Sequence, residues 1–497
     1  MSTTGSARRG TWRFGSVHNL PALSGPEAPG GGPGAHAGVP EQGRTRAWTL
    51  PTKPVAVVPS RGLLLAVGPR LQGLQDASDQ LKDDRDEGSA ILRALRPALT
   101  VAQVFGLLPV SKPSDARHAV FRWKSARTAL AVTIIVGAVL ESMLALMRMV
   151  ETGIKYSTSV HAIFFVVTSV GQMLFLHMSG QWHGLLVDLA RVDGTCQRAY
   201  GEPGRLRART LAVTVVALSL AAVEHTLSML GSLYFVWPCY QRGGILFVWQ
   251  GYFLTKYLKT FTVTAFATWK ATLLLLLQFI NVFVWNFMDL FVALFAMGLS
   301  SRFRQVNAEL QATKTEVLSS EFWKSKRKLY NELADLVRRV DDVIGPLILV
   351  SYATDLYFIC LQLLSLVNPS GVSVYHQAFF SFSMGYLILR MTFMTHAAAN
   401  IHEESRGPKE VLFALPTGAY SVEAERFLMQ VLTDNVAFTG CNFFSISRSF
   451  LLKVAGTIVT YAVVLVQFNS KEANPDAAQS NGTILCTCED ISRDYKC

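Results

Sequence analysis

What most constrains this chain is a set of long apolar runs, at 128–149, 159–178, 211–236, 271–299, 343–367, 374–398 and 452–468. Each is near the roughly 20 residues a helix needs to cross about 30 Å of hydrocarbon. In lipid a backbone must satisfy its own polar groups, which a helix does within one segment. The expected fold class is therefore all-α: a seven-transmembrane-helix membrane protein. Composition agrees. Only 16% of the 497 residues are charged, against roughly a quarter in a soluble protein. A soluble chain of this length is also expected to split into several domains. The net charge of +11 does not imply nucleic acid, because Lys and Arg gather in the loops between apolar runs, where the positive-inside rule puts them.

Loop charges set the orientation. Arg117, Arg122, Lys124 and Arg127 precede the first run. The 179–210 loop carries Arg191, Arg198, Arg205, Arg207 and Arg209, and 300–342 carries nine Lys and Arg. The alternate loops are poorer: Lys155 alone in 150–158, none in 368–373, and four cations over the 34 residues of 237–270. The rule places the N-terminus in the cytoplasm and, after seven crossings, the C-terminus outside. The single Asn-x-Ser/Thr sequon, Asn481-Gly482-Thr483, falls in that outer tail and makes Asn481 the candidate glycosylation site.

Residues 1–60, with runs such as Gly30-Gly31-Gly32-Pro33-Gly34, have no apolar period and are expected to be disordered. The first 45 residues also lack a signal-peptide core, so the first span is expected to insert as an internal anchor. The expected organisation is a disordered cytoplasmic segment at 1–90 and cytoplasmic or interfacial helices at 91–127. The apolar stretch 90–110 there lies on the inner membrane face or packs on the bundle. Spans one to four occupy 128–299. A cytoplasmic helical segment follows at 300–342, then spans five and six at 343–398, a second helical segment at 399–450, the last span at 451–468 and an extracellular tail at 469–497. In 326–342, Leu329, Leu333, Leu336 and Val340 recur at helical spacing, so the fourth and fifth spans are expected to continue as helices into the cytoplasm.

The cysteines show no metal-ligand spacing. Cys486, Cys488 and Cys497 of the outer tail are candidates for disulfides, with Cys239 as a further partner, and an unpaired state is equally open. No phosphate-binding glycine loop, His-Glu-x-x-His or nucleophile elbow is present, so neither an enzyme nor a cofactor is expected. A G-protein-coupled receptor is excluded: its N-terminus lies outside, and its Asp-Arg-Tyr and Asn-Pro-x-x-Tyr motifs are missing here. The matched halves common in secondary transporters are also missing.

The last span carries Thr460-Tyr461, five apolar residues and then Gln467-Phe468. With TGCNFFSISR (439–448), IHEESRGPKEVL (401–412), FVWNFMDLF (283–291) and the 329–363 stretch, this resembles the insect gustatory receptors, and within them the sugar-sensing branch. RALRPALTVAQVFGLLPVS (93–111) resembles that branch as well. The resemblance covers about 92–468 and is strongest after 275. Two departures stand out: a longer N-terminal segment, and Ala462 where sugar receptors often carry an acid.

The resemblance implies one subunit of a ligand-gated, non-selective cation channel in the plasma membrane of chemosensory neurons. It implies a homo- or hetero-tetramer with related subunits, a pore lined by the seventh helix, a cytoplasmic anchor, and a small sugar (mono- or disaccharide) bound in each subunit. Monovalent cations and Ca2+ would be the permeant ions, and membrane lipid the surroundings. A metabotropic receptor of inverted topology and a transporter are the competing functions. On the seventh helix, Thr457, Thr460, Val464 and Phe468 share a face. A ring of Phe468 is the expected dewetting gate, with Gln467 about 100° round the helix ready to replace it.

Polar side chains inside a membrane are costly and invite a functional reading. Sugars take carboxylates, amides or imidazoles for their hydroxyls and aromatic faces for their C–H surfaces. The fourth span places Gln278, Asn281 and Trp285 on one face, and the fifth Tyr352, Asp355, Ile359 and Gln362. The third carries Glu224 and His225, with Ser228 a turn further out, and the sixth His376, Gln377 and Ser381. These are expected to converge on one outward cavity, with Asp355 and Glu224 as hydroxyl acceptors and Trp285 as the platform. Asp289 and Arg390 are expected to form a structural or gating pair.

Overall fold

The computed structural model describes residues 89–153, 156–237, 240–314, 316–367 and 374–469, all within one compact unit, Gln72–Cys497. The expected disordered segment, Cys239, the sequon at Asn481 and the tail cysteines lie outside the described residues. A helix α1 (Ala90–Val104) comes first, followed by a two-stranded antiparallel hairpin, β1 (Val110–Ser111) and β2 (Val120–Phe121), with Val110 opposite Phe121. Among the described residues, six helices are long and apolar enough to cross a membrane: α2 (Ala126–Thr152), α3 (Tyr156–Tyr200), α4 (Leu206–Val236), α7 (Thr268–Ala312), α8 (Ser320–Val367) and α9 (Val374–Arg406). Between them lie α5 (Tyr240–Lys256) and α6 (Leu258–Val263). After them come α10 (Pro408–Phe413), α11 (Val422–Thr433) and α12 (Arg448–Asn469), the last coinciding with the expected seventh span.

At 1.5 Å per residue, helices of 45 or 48 residues run roughly 70 Å, more than twice the hydrocarbon thickness; α3, α7 and α8 have these lengths. For α7 and α8 the polar continuation was legible in the sequence. For α3 it was not, since 179–200 reads as a charged loop. Trp182, Leu185, Leu186, Leu189, Val192 and Cys196 form a stripe at helical spacing, all buried. The Trp182 indole donates to the Pro113 carbonyl at 2.9 Å. The arginines of this stretch occupy the opposite face, so charge hid the period.

Helix α7 is the hub, buried along most of its length and packed against α9, α3, α4 and α8. Helix α1 packs on α4, α7 and α3. Its Ser89 hydroxyl caps Leu92 and donates to Asp193 at 2.6 Å. Asp193 also pairs with Arg302 at 2.5 Å, both side chains fully buried. A Cβ on Gly298 of α7 would meet Ile91 of α1 at 2.8 Å, so glycine sets how closely the two helices approach.

Of the helical segment expected at 399–450, the end of α9, α10, α11 and the first residues of α12 are helical, and helix gives out after Thr433, the end of α11. The following stretch turns back on itself through a bridge between Thr439 and Ser445, with Cys441 and Asn442 at positive φ. A Cβ on Gly440 would strike the Phe444 ring. Asp341 of α8 accepts from both the backbone N–H and the hydroxyl of Thr439 at 2.6 Å each. The loop that launches α12 is therefore fastened to α8.

Candidate functional site

Three consecutive positions of one face of α9, Ser383, Tyr386 and Arg390, face Glu224 of α4, Trp285, Asn286 and Asp289 of α7, and Asp355 and Gln362 of α8. Arg390 is the centre. Its guanidinium pairs with Asp289 at 2.5 Å and Asp355 at 2.6 Å. It also donates to Asn286 Oδ1 at 2.9 Å and lies 4.5 Å over the Trp285 ring. Tyr386 donates to the same Asn286 oxygen at 2.9 Å, and Ser351 donates to Asp289. One cation thus holds two carboxylates, all three side chains at least 93% buried. Such an arrangement is tolerated only when each charge is paired and hydrogen-bonded.

Two turns from Arg390 toward the start of α9, Ser383 donates to Glu224 at 2.8 Å and accepts from Gln362 at 3.2 Å. Glu224, Trp285, Ser383, Tyr386, Leu387 and Arg390 line a crevice with about 170 Å³ of empty space, too finely divided to admit a sphere the size of a water molecule. The walls touch. Trp285 is wedged between Phe164 of α3, centroids 5.7 Å apart, and Phe358 of α8, 5.1 Å apart.

The side chains expected to converge divide into groups. Glu224, Trp285, Asp355 and Gln362 come together, and Ile359 is buried on the same helix. Asp355 is held by Arg390, so the pair read from sequence as Asp289 with Arg390 is a three-membered cluster. Gln278 and Asn281 face elsewhere: Gln278 accepts from Tyr257 at 3.1 Å, and Asn281 accepts from Gln172 of α3 at 2.7 Å. Tyr352 lies a turn below Asp355 toward α12. Its hydroxyl meets Thr395 at 2.7 Å, and its ring stands edge-on to Phe444 and Phe450 at 5.4 and 5.2 Å.

His225 packs on Phe279 at 6.0 Å rather than beside Glu224, whose partner is Ser383. Ser381 and Gln377 are exposed, and the side chain of His376 lies outside the described ones. The sequence reading missed Ser383, Tyr386 and Asn286. The spacing of Ser383, Tyr386 and Arg390 by three and four residues on one face of the sixth span was the available signal.

Helix α12 leans on α8 and α9 through Val454 and Ile458. Leu452, Val459, Val463 and Val464 are exposed, as are Thr457 and Thr460. The two threonine hydroxyls donate back to the carbonyls of Lys453 and Gly456 at 3.0 and 2.8 Å. Gln467 is exposed, and the side chain of Phe468 lies outside the described ones.

A family model described as trehalose receptor matches residues 74–477, most of the chain. The chain belongs to the trehalose-receptor family of gustatory receptors. Among curated relatives of this receptor, gustatory receptor for sugar taste 64f of Drosophila melanogaster is 32% identical over 398 residues, covering 78% of this chain and 83% of the relative. Gustatory receptor 5a for trehalose, from the same organism, is 28% identical over 427 residues, covering 83% and 94%.

Two solved structures of the insect olfactory receptor OR5 from Machilis hrabei share the receptor's fold, one of them in complex with eugenol. The complex is 14% identical with a TM-score of 0.53, and the other structure 15% with 0.56. Each match covers 74% of this chain and 96% of that one.

Proposed function

We propose that the protein is one subunit of a sugar-gated, non-selective cation channel. The observation that carries this is the polar cluster around Trp285, buried between α4, α7, α8 and α9 in a member of the trehalose-receptor family. In the proposed topology the N-terminus is cytoplasmic, α12 is the seventh crossing, and the C-terminus is extracellular. Relatives named for sugar taste and for trehalose support a mono- or disaccharide as the ligand. Glu224, Gln362 and Ser383 supply hydroxyl partners, and Trp285 supplies the stacking surface. Because the crevice is too narrow even for water, a sugar ring enters only when α9 parts from α4 and α7.

Four copies place α12 around a common axis. The exposed face with Thr457, Thr460 and Val464 is the surface such an assembly would turn to the pore, and Phe468 is the gate. Coupling runs through α8. Sugar draws on the Asp355–Arg390 contact, α8 shifts, and Tyr352 with the Asp341–Thr439 clasp carries that shift to the base of α12. This is a population shift toward an arrangement that binds the sugar better.

Purified protein in a planar bilayer tests the reading. Sugar should evoke single-channel steps carried by Na+, K+ and Ca2+. Sugar flux without unitary steps would make it a transporter, and silence with partner-dependent signalling would make it a metabotropic receptor.

A further inference from the structure

Outward of Trp285, α3 and α7 meet across two amides. Gln172 Nε2 donates to Asn281 Oδ1 at 2.7 Å, with Gln172 3% exposed and Asn281 fully buried. A primary amide offers two N–H donors and a carbonyl acceptor, and this single bond uses little of that capacity. Gln172 Oε1 and Asn281 Nδ2 have no partner among the described residues. Turning both amides over exchanges their roles but leaves the same remainder: one acceptor and one donor unmet. Buried polar groups are nearly always bonded, and each exception calls for an explanation.

The surroundings point to the explanation. Trp285 lies one helical turn inward on the same face of α7, and its indole N–H is also unpartnered. One turn outward, Gln278 is bonded to Tyr257, which follows α5. The Tyr257 ring stands 5.5 Å from that of His161 near the start of α3. A polar seam therefore runs from the α5–α6 layer down between α3 and α7 to the indole. Its deepest members leave one acceptor and at least two donors unmet among the described residues. A hydroxyl group both donates and accepts, so a single alcohol placed there satisfies both amides.

We propose that Gln172 and Asn281 form a hydroxyl-recognition subsite on the outward side of Trp285, separate from the Glu224–Ser383 crevice on its other side, and that Gln172 helps determine which sugars are accepted. The inference rests on the sugar-receptor reading. It adds a residue on α3, a helix outside the four that frame the crevice, and a ligand chemistry of paired donor and acceptor on one oxygen.

The test pairs receptor variants with singly deoxygenated analogues of a responding sugar. Binding and evoked current are measured on receptor quantified at the cell surface. Gln172→Leu should weaken the parent sugar about tenfold, the worth of one such hydrogen bond. It should leave unchanged the one analogue that lacks the recognised hydroxyl, which should already be about tenfold weaker on the wild type. The double variant Gln172→Leu/Asn281→Leu removes both amides together, which is nearly neutral for folding. It should show the same selective loss, and it carries the test if the single variant does not reach the surface. An equal loss for every analogue overturns the subsite and leaves the sugar-receptor reading intact. A wild-type receptor that binds no sugar at all overturns both.

Discussion

Arg390 shows how much a single residue can organise in a membrane. Its guanidinium is a planar fork, able to meet two carboxylates and an amide oxygen at once, and it bonds Asp289, Asp355 and Asn286. Removing it leaves two carboxylates buried without their cation, a loss of about 3–5 kcal/mol. Arg390→Met is therefore expected to fall far below wild type in surface-labelled protein. Arg390→Met combined with Asp289→Asn and Asp355→Asn, which removes the charges together, should recover most of it. Wild-type surface levels for Arg390→Met alone would show that the cluster is dispensable.

At this scale the sequence was informative about cost and uninformative about partners. Charges inside apolar runs mark Glu224, Asp289, Asp355 and Arg390 directly. That Asp355 bonds the arginine, and that Ser383 rather than Ser381 reaches Glu224, depends on the rotation of α9 about its axis. A 20-residue span tolerates several such rotations.

In the proposed channel the element that joins ligand site to pore is α8. Asp355 and Gln362 face the crevice, Tyr352 a turn below touches Phe444 and Phe450 at the base of α12, and Asp341 clasps the loop before it. Tyr352 was read from its spacing as a sugar contact; its contacts with Phe444 and Phe450 support the role of a joint in the proposed coupling. Tyr352→Ala is expected to lower the maximal sugar-evoked current severalfold while leaving sugar affinity within about twofold in a competition assay. A shifted affinity with an undiminished maximum would return Tyr352 to the ligand site. Periodicity placed Tyr352 and Asp355 on one face correctly. It did not show that α8 changes neighbours along that face, from α9 above to the Phe444 loop below. The same limit applies to α3, where a buried stripe lay beneath a polar face carrying Arg191 and Arg198.

On the proposed reading the whole molecule is incomplete as a single copy. Leu452 is 75% exposed and Val459 60%, and one chain offers α12 only a shoulder of α8 and α9. In a tetramer this surface turns to partner subunits and to the pore. Receptor held in nanodiscs is expected to show the mass of four chains. Phe468→Ala is expected to raise current without sugar, because four small side chains cannot dewet the constriction as four rings do. A silent Phe468→Ala tetramer that inserts normally would move the gate elsewhere on α12.

The sequence by itself determined that this is a helical membrane protein, where its apolar spans fall, which charges they bury, and to which receptor family it belongs. The first three follow from the cost of an unpaired polar group in hydrocarbon, a local property that each segment records on its own, and the family follows from matching motifs. Only the tertiary structure decided which polar faces meet: Gln278 and Asn281 with α3 and Tyr257, Trp285 and Asp355 with Arg390, Tyr352 with α12. Those choices depend on helix rotation and on close approaches such as Gly298 against Ile91. They are set by packing between segments far apart in the chain, where a single segment's composition carries no record of its neighbour.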